Sequence, residues 1–540
     1  MSKQLMFDYE AHQKILKGAK SLADTLRITL GPTGRNVLLD KSFGNPEIIK
    51  DGNAISKEVE LPDPFENMGS KMISEAASKT SDVIGDGASV SALLAYAIYE
   101  SGLKYLTSGA NPVGLKNGIE KATSTIVDTL KEMSRPATEK SDYQNIATVS
   151  ANRDEKIGKL IAEAMTKVGK EGVITVDEGK GRETTLEFTE GLSFDKGYIS
   201  PYFVTNPENL TCVLNDCYIL LYEKKITNLQ EMLPLLEQVV QTGKSILIVA
   251  EEIEGEALTA LVINKLQGSL KCCAVKTPAF GDRKKAIMED IAIVTGGQFF
   301  SEELGAKLEE ISVNNLGKAK SIKIDKDNTY IVEGAGAKKK IEARVAQIRN
   351  LIKTTTSDYD REKYEERLAK LVGGVAVIKV GALMETMIKE KKSVIENAVN
   401  SARAARDEGY LPGGGLAYLK CLPALEDLKE KTSNPDERMG ITIVAQAMEI
   451  PLRQIADNSG RDGAMIVEDL KEKSKDDDPI GFDAFSGEYT HMIKAGIVDP
   501  TKLLRSAIQN ASSIAGLMLS SRTLITDFKE KEKTIEGSIQ

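Results

Sequence analysis

Apolar residues Ile15, Ala19, Leu22 and Leu26 recur at spacings of four, three and four, which puts them on one face of an amphipathic helix. That helix ends in TLGPTGRN, where Pro32 and two glycines stop it. A short strand, NVLLD, follows, and KDGNAIS reads as a turn. From Glu66 a helical tract runs to IGDGAS, and a second apolar helix starts at once in SVSALLAYAIYESGL. Near Gly172 the texture changes. GVITVDEG, CYILLYE, SILIVAEE and KCCAVKT are short strand-like runs, with helical LQEMLPLLEQVVQ and EGEALTALVINKLQ between them. This is the rhythm of a sheet flanked by helices. A charged helical hairpin comes next, IEARVAQIRNLIKTTTSDYDREKYEERLAKLV, turning near Ser357 and Asp358. After AVIKVG the pattern is helical to a polar tail, DFKEKEKTIEGSIQ. The order helical, α/β, helical predicts one helical domain built from both chain ends, with an α/β domain inserted between them.

At 540 residues the chain exceeds a single hydrophobic core, so two to four domains are expected. A formal net charge of −9 argues against general nucleic-acid binding, because phosphate backbones call for excess Lys and Arg. No apolar run approaches the ~20 residues of a membrane span. The start, MSKQLMFDYEAHQK, has no apolar signal core, so no membrane association and a cytoplasmic location are expected. The five cysteines, Cys212, Cys217, Cys272, Cys273 and Cys421, read as core thiols rather than disulfides. With only His12 and His491 to assist, both zinc and a histidine-activated nucleophile are disfavoured.

Several short motifs invite chemistry. Gly243, Lys244 and Ser245 resemble a P-loop tail, but Gln238 stands where its first glycine belongs. The glycine also precedes a strand instead of following one. A helix-to-strand turn is the better reading. Three other segments point together to a phosphate site. Thr29-Leu30-Gly31-Pro32 ends a helix in small residues, Lys50 and Asp51 sit on a turn, and Asp86-Gly87-Ala88-Ser89 opens the helix expected from Val90. A helix N-terminus offers free N–H groups and a positive dipole end, and a nearby carboxylate can hold Mg²⁺ against the bound phosphate. The plainer reading is that Asp86 only caps its helix and the glycines are turns.

The combination goes further, because TLGPTGRNVLLDKSFGNPEIIKDG, VGKEGVITV, GYISPYF, AFGDRKKA, TSDYDREK, GGVAVIKVGA, PLRQIADNSG and GIVDPTKLLRSA occur in this order. Through these segments the chain, from about residue 5 to 525, resembles the group I chaperonins, the bacterial GroEL and mitochondrial Hsp60 family. The resemblance implies a multidomain α and α/β fold. It would have a helical equatorial domain from both ends (1–133 and 408–540), a small intermediate domain (134–190 and 374–407) and an inserted α/β apical domain (191–373). It also implies an ATP-dependent folding chaperone that captures non-native polypeptides in sevenfold single or double rings under a GroES-like co-chaperonin lid. Its cofactors would be ATP and Mg²⁺, with K⁺ as a further cation.

Carried over residue by residue, the resemblance assigns Thr29, Leu30, Gly31, Pro32 and Lys50 to the nucleotide loops, with Asp51 as a catalytic carboxylate. Asp86 becomes the Mg²⁺ ligand, in a loop with Gly87. Val149 and Ser150 are the intermediate-domain contact. Gly414 lies against the nucleotide, Asp483, Ala484 and Phe485 at the base, and Ile497 and Asp499 at the ribose. Departures fall where the chemistry lies. Ala88, Ser89 and Val90 replace a run of three threonines, and Val394 replaces an arginine. Asn397 stands where the family has the aspartate that activates water. An amide cannot take that proton, and general base catalysis is worth ~10²–10⁴-fold. Slow ATP hydrolysis is therefore expected, the alternative being a non-hydrolysing paralogue that holds clients or joins rings. The client face is complete. Tyr198, Tyr202 and Phe203, Leu233 and Leu236, and Leu258, Val262 and Ile263 match the family's groove for clients and lid, although by pattern alone they would be core residues.

Overall fold

The computed structural model describes residues 2–40, 46–169, 173–179, 181–189, 191–207, 210–279, 281–301, 307–355, 357–372, 375–382, 384–473 and 479–527. The expected change of texture at Gly172 and the polar tail after Asp527 lie outside these residues. The chain divides into two compact units, one from Met1–Glu163 with Met384–Gln540 and one from Ala164–Leu383.

The unit made from both ends is a helical bundle. Helices Asp8–Arg27, Pro64–Ile84, Ala88–Thr107, Pro112–Met133, Pro435–Ala447 and Thr501–Ser520 surround a core that includes Leu22, Ile73, Leu94, Tyr99, Ile119 and Ile508. Three of these helices begin alike, with Asp63, Asn111 or Asn434 as cap and proline at the first helical position. The side-chain oxygen takes up N–H groups the helix cannot bond, and proline has none to lose. Gly18 and Gly69 let two helices touch. A Cβ at Gly18 would collide with the Glu66 carbonyl, and one at Gly69 with the Ile15 carbonyl. The ends of the chain meet in an antiparallel pair, Lys3–Phe7 with Thr523–Asp527, in the register Leu5↔Ile525. A hairpin of Val37–Leu39 and Glu47–Ile49 is paired Leu38↔Ile48, and Leu38 is 72% exposed.

KDGNAIS differs from its reading as a turn. Gly52–Glu58 is a helix, with Asp51 as its cap accepting from the Ala54 N–H at 2.7 Å. The helix after IGDGAS also starts earlier than Val90, at Ala88, behind Gly87 at φ 83°. Asp86 therefore does not cap it.

The second unit carries a seven-stranded sheet ordered Gly191–Phe194, Thr329–Gly334, Gly317–Ile324, Cys212–Tyr222, Ser245–Ala250 and Cys272–Lys276, with Phe299–Phe300 paired to Cys212–Tyr222. The last three strands of that order are parallel, and every residue of Ser245–Ala250 is buried, as crossover helices require. Gly243, at φ 70°, ends the Leu233–Thr242 helix just before that strand. A smaller sheet pairs Val375–Val380 with Val173–Glu178 and Thr185–Thr189. The charged hairpin is Lys338–Thr354 and Asp358–Val372. All five cysteines are free and buried, and burial lifts the Cys272 and Cys421 thiols to about 12.

Candidate functional site

Three loops and one long helix of the end-built unit converge on a group of carboxylates. Asp51, fixed by its capping bond to Ala54, accepts a second bond from Asn397 Nδ2 at 3.2 Å. Asp86 Oδ1 accepts from the Gly87 N–H at 2.6 Å, and Oδ2 from the Ser150 hydroxyl at 2.9 Å. Ser150 also meets Ser401 at 3.1 Å. Asn397 and Ser401 are four apart on the Glu385–Glu408 helix, hence on one face. Burial, reinforced by Asp51, pushes the Asp86 carboxyl above its ordinary range against the pull of its donors. Asp499, paired across strands with Leu411, is pushed up to about 7 by burial and by Asp86, although the Gly414 N–H lowers it.

The glycine triplet forms the adjoining turn. Gly413 N–H donates to the Ile497 carbonyl at 2.9 Å, while Gly414 and Gly415 lie at φ 67° and 84°, the left-handed region that favours glycine. Lys50 reaches the Gly31 carbonyl at 3.3 Å and Asn152 Oδ1 at 3.0 Å, and burial lowers its ammonium. The Thr29 and Ser89 hydroxyls meet at 3.1 Å. In the same loop the Thr33 hydroxyl is buried without a hydrogen-bond partner. At the far side, Arg153 bonds Asp483 at 2.8 Å. Burial raises the Asp483 carboxyl, but the Phe485 N–H, Arg153 and Ser486 outweigh it and hold the group below its usual value.

These contacts bring most of the sequence-derived positions together, with differences. Ala88 is buried in the helical core and Val90 packs against it, so only their backbone N–H groups remain for an anion. Leu30 packs in a small cluster with Ile455 and Ala484. Val149 is half-buried one position before Ser150, and Pro32 is half-buried beside Thr33. Val394 is half-buried, one turn before Asn397. Ser401, Asn152, Arg153 and Thr33 join the site as further residues that the motifs do not mark. Ser401 was accessible from its spacing to Asn397, whereas the others carry no local signal.

The bonds to Asp51 and Asp86 come from neutral donors. Two neighbouring carboxylates, each oxygen of which accepts one of these bonds and keeps a further lone pair, beside the start of the Ala88–Thr107 helix, suit a hard cation that shares its ligands with phosphate and water. The residues therefore fit Mg²⁺ with a nucleoside phosphate.

The client-face positions of the second unit separate by burial. Tyr202 is 64% exposed, and Leu233 and Ile263 are also exposed. Tyr198, Leu258 and Val262 are half-buried against the core. Phe203 and Leu236 are corrections to the expected groove, since both are core residues. Phe203 sits in the turn Pro201–Phe203, which directs Tyr202 outward and its neighbour in. Leu236 faces inward with Val239 on the Leu233–Thr242 helix.

Among solved structures the chain is similar to the chaperonin gp146 from the bacteriophage EL 2 (Pseudomonas aeruginosa), crystallised in the presence of ATP-BeFx. The TM-score is 0.70 at 21% identity, over 97% of this chain and 99% of that one. The model of the TCP-1/cpn60 chaperonin family matches residues 22–529. With its motifs, its fold and nearly its whole length in agreement, the chain belongs to the TCP-1/cpn60 chaperonin family.

Proposed function

We propose that this protein is an ATP-binding chaperonin subunit that captures non-native polypeptides and turns ATP over slowly. The observation that carries the reading is the convergence of Asp51, Asp86 and Asn397 beside a helix N-terminus. In it, the first turn of the Ala88–Thr107 helix and Lys50 receive the phosphates. Asp86 holds Mg²⁺, which screens phosphate charge when bound. Gly413 to Gly415 let the backbone approach the nucleotide, and Ile497 and Asp499 line the ribose side. Asn397 orients water but cannot take its proton, a task that falls to Asp51, the carboxylate its amide is bonded to. The analogue named with the phage chaperonin supports the nucleotide assignment.

Ring formation is part of the proposal. The exposed apolar hairpin at Leu38 and Ile48, and the exposed Leu5, Phe7 and Ile525 on the paired ends, are surfaces that a neighbouring copy would cover. Sevenfold closure, a GroES-like lid and the three-domain division are proposed with it. The apolar positions Tyr202, Leu233 and Ile263 supply the client face. The test combines calorimetric Mg-ATP binding, mass by light scattering, and suppression of aggregation of a chemically denatured protein. Saturable binding, a large oligomer and suppression are expected. A monomer that neither binds ATP nor suppresses aggregation overturns the reading.

A further inference from the structure

The turn after the Lys140–Ser150 helix is strained. Asn152 and Arg153 are consecutive non-glycine residues at φ 54° and 68°, a region that side chains other than glycine enter at a cost. The backbone is pinned there. Arg153 N–H donates to the Thr148 carbonyl at 2.8 Å, and Asp154 N–H to that of Ala151 at 3.1 Å. The two side chains end on different walls of the site. Asn152 accepts from Lys50, whose ammonium also reaches the first nucleotide loop at Gly31. Arg153 donates to Asp483 Oδ1 at 2.8 Å, and its guanidinium lies 4.7 Å from the centre of the Phe485 ring. The base-side turn is itself held firm. Asp483 Oδ1 accepts the Phe485 N–H at 3.0 Å, and the Asp483 carbonyl accepts from Gly487 at 2.8 Å. Phe485 is nonetheless 69% exposed. Adjacent residues of one strained turn thus join the phosphate side of the site to its base side.

Isolated surface ion pairs do little, but here the Asp483 end is nearly enclosed and a planar guanidinium both bonds and stacks. We propose that residues 151–154 form a strap across the nucleotide site, with Arg153 the positioning residue that latches it to Asp483 and Phe485 and so slows nucleotide entry and release. The proposal rests on the nucleotide reading of this site. A strap that closes over a ligand retards both directions and leaves affinity nearly unchanged. A residue that touches the ligand changes release and affinity together.

Stopped-flow with full-length protein, Mg²⁺ and methylanthraniloyl-ADP distinguishes these cases, with release followed by a chase of unlabelled ADP. In Arg153→Ala both rate constants are expected to rise about tenfold while Kd stays within about threefold. Arg153→Lys, which keeps the ion pair without the stacked plane, should fall between the two. Added salt should speed release from the wild type more than from Arg153→Ala, the excess reporting the Arg153–Asp483 pair. Melting curves confirm that the variants are folded. Unchanged rates overturn the strap, and so does faster release with unchanged association. A wild type that binds no labelled nucleotide but is well folded defeats the nucleotide reading, and the strap falls with it.

Discussion

Asn397→Asp is the most informative single change. In the wild type the amide donates to Asp51 Oδ2 at 3.2 Å. The substitution sets two carboxylate oxygens at about that spacing when no cation lies between them. Coulomb's law gives about 1.3 kcal/mol of repulsion if water screens fully and about 5 kcal/mol at an effective dielectric near 20. A charge-assisted hydrogen bond of ~1.5–3 kcal/mol is lost as well. The nucleotide-free variant should therefore be less stable by a few kcal/mol. Repulsion raises the folded-state pKa of the introduced carboxyl above its unfolded value, so the deficit is small in acid and grows as pH rises through the carboxylate range. With Mg-ATP bound the same group is a general base worth ~10²–10⁴-fold, and even partial recovery exceeds about tenfold. Phosphate release at saturating Mg-ATP and melting at about pH 5 and pH 8 measure both halves. A wild type that releases phosphate as fast as the variant would refute the catalytic argument and leave Asp51 or a water relay as the base. A variant whose melting deficit is the same at both pH values would refute the electrostatic one.

Other substitutions test neighbouring parts. Asp499→Asn should remove a pH dependence: a carboxyl raised from 3.8 to about 7 makes the wild type lose up to ~4 kcal/mol as pH climbs between those values, which chemical denaturation across that window would register. Ala88→Thr should lower stability by about 1–3 kcal/mol without speeding turnover, because position 88 faces a packed core; a raised melting temperature would contradict this. Tyr202→Glu should weaken aggregation suppression at unchanged stability, whereas Phe203→Ala, at a fully buried ring, should cost about 3–5 kcal/mol in a denaturant titration. Deleting the residues after Phe528 should leave aggregation suppression intact, since KEKEKTIEGSIQ is mostly charged and polar; a large loss of suppression would refute it.

Periodicity made the large-scale order legible: apolar residues at helical spacing mark the bundle, and short β-branched runs mark the sheet. The hairpin turn near Ser357 and the helix-to-strand turn at Gly243 follow from local residue types. What failed was shorter in range or longer in reach. Gly52–Glu58 has seven residues, too few for a periodic signal, and its helical start shows only once Asp51 is seen to cap it. A two-residue error in the helix start, Val90 for Ala88, hid the inward direction of Ala88. A stripe such as Leu233 and Leu236 marks a helix face without saying which residue lies at its dry edge. Arg153 and Asp483 lie 330 positions apart, and nothing in either neighbourhood announces the partnership.

The pairing of Lys3–Phe7 with Thr523–Asp527 also bears on how the molecule is made. A ribosome delivers the chain from one end, and the unit spanning Ala164–Leu383 is continuous, so all its strands are available before the second part of the bundle is made. The bundle has no such liberty. Its first helices are synthesised early, yet the Thr501–Ser520 helix that packs against them and the strand that zips the two ends come last. Nascent chains should therefore carry a finished insert on an unfinished base, with apolar helix faces waiting on the closing segment. A subunit built to shelter incomplete proteins passes through that condition itself.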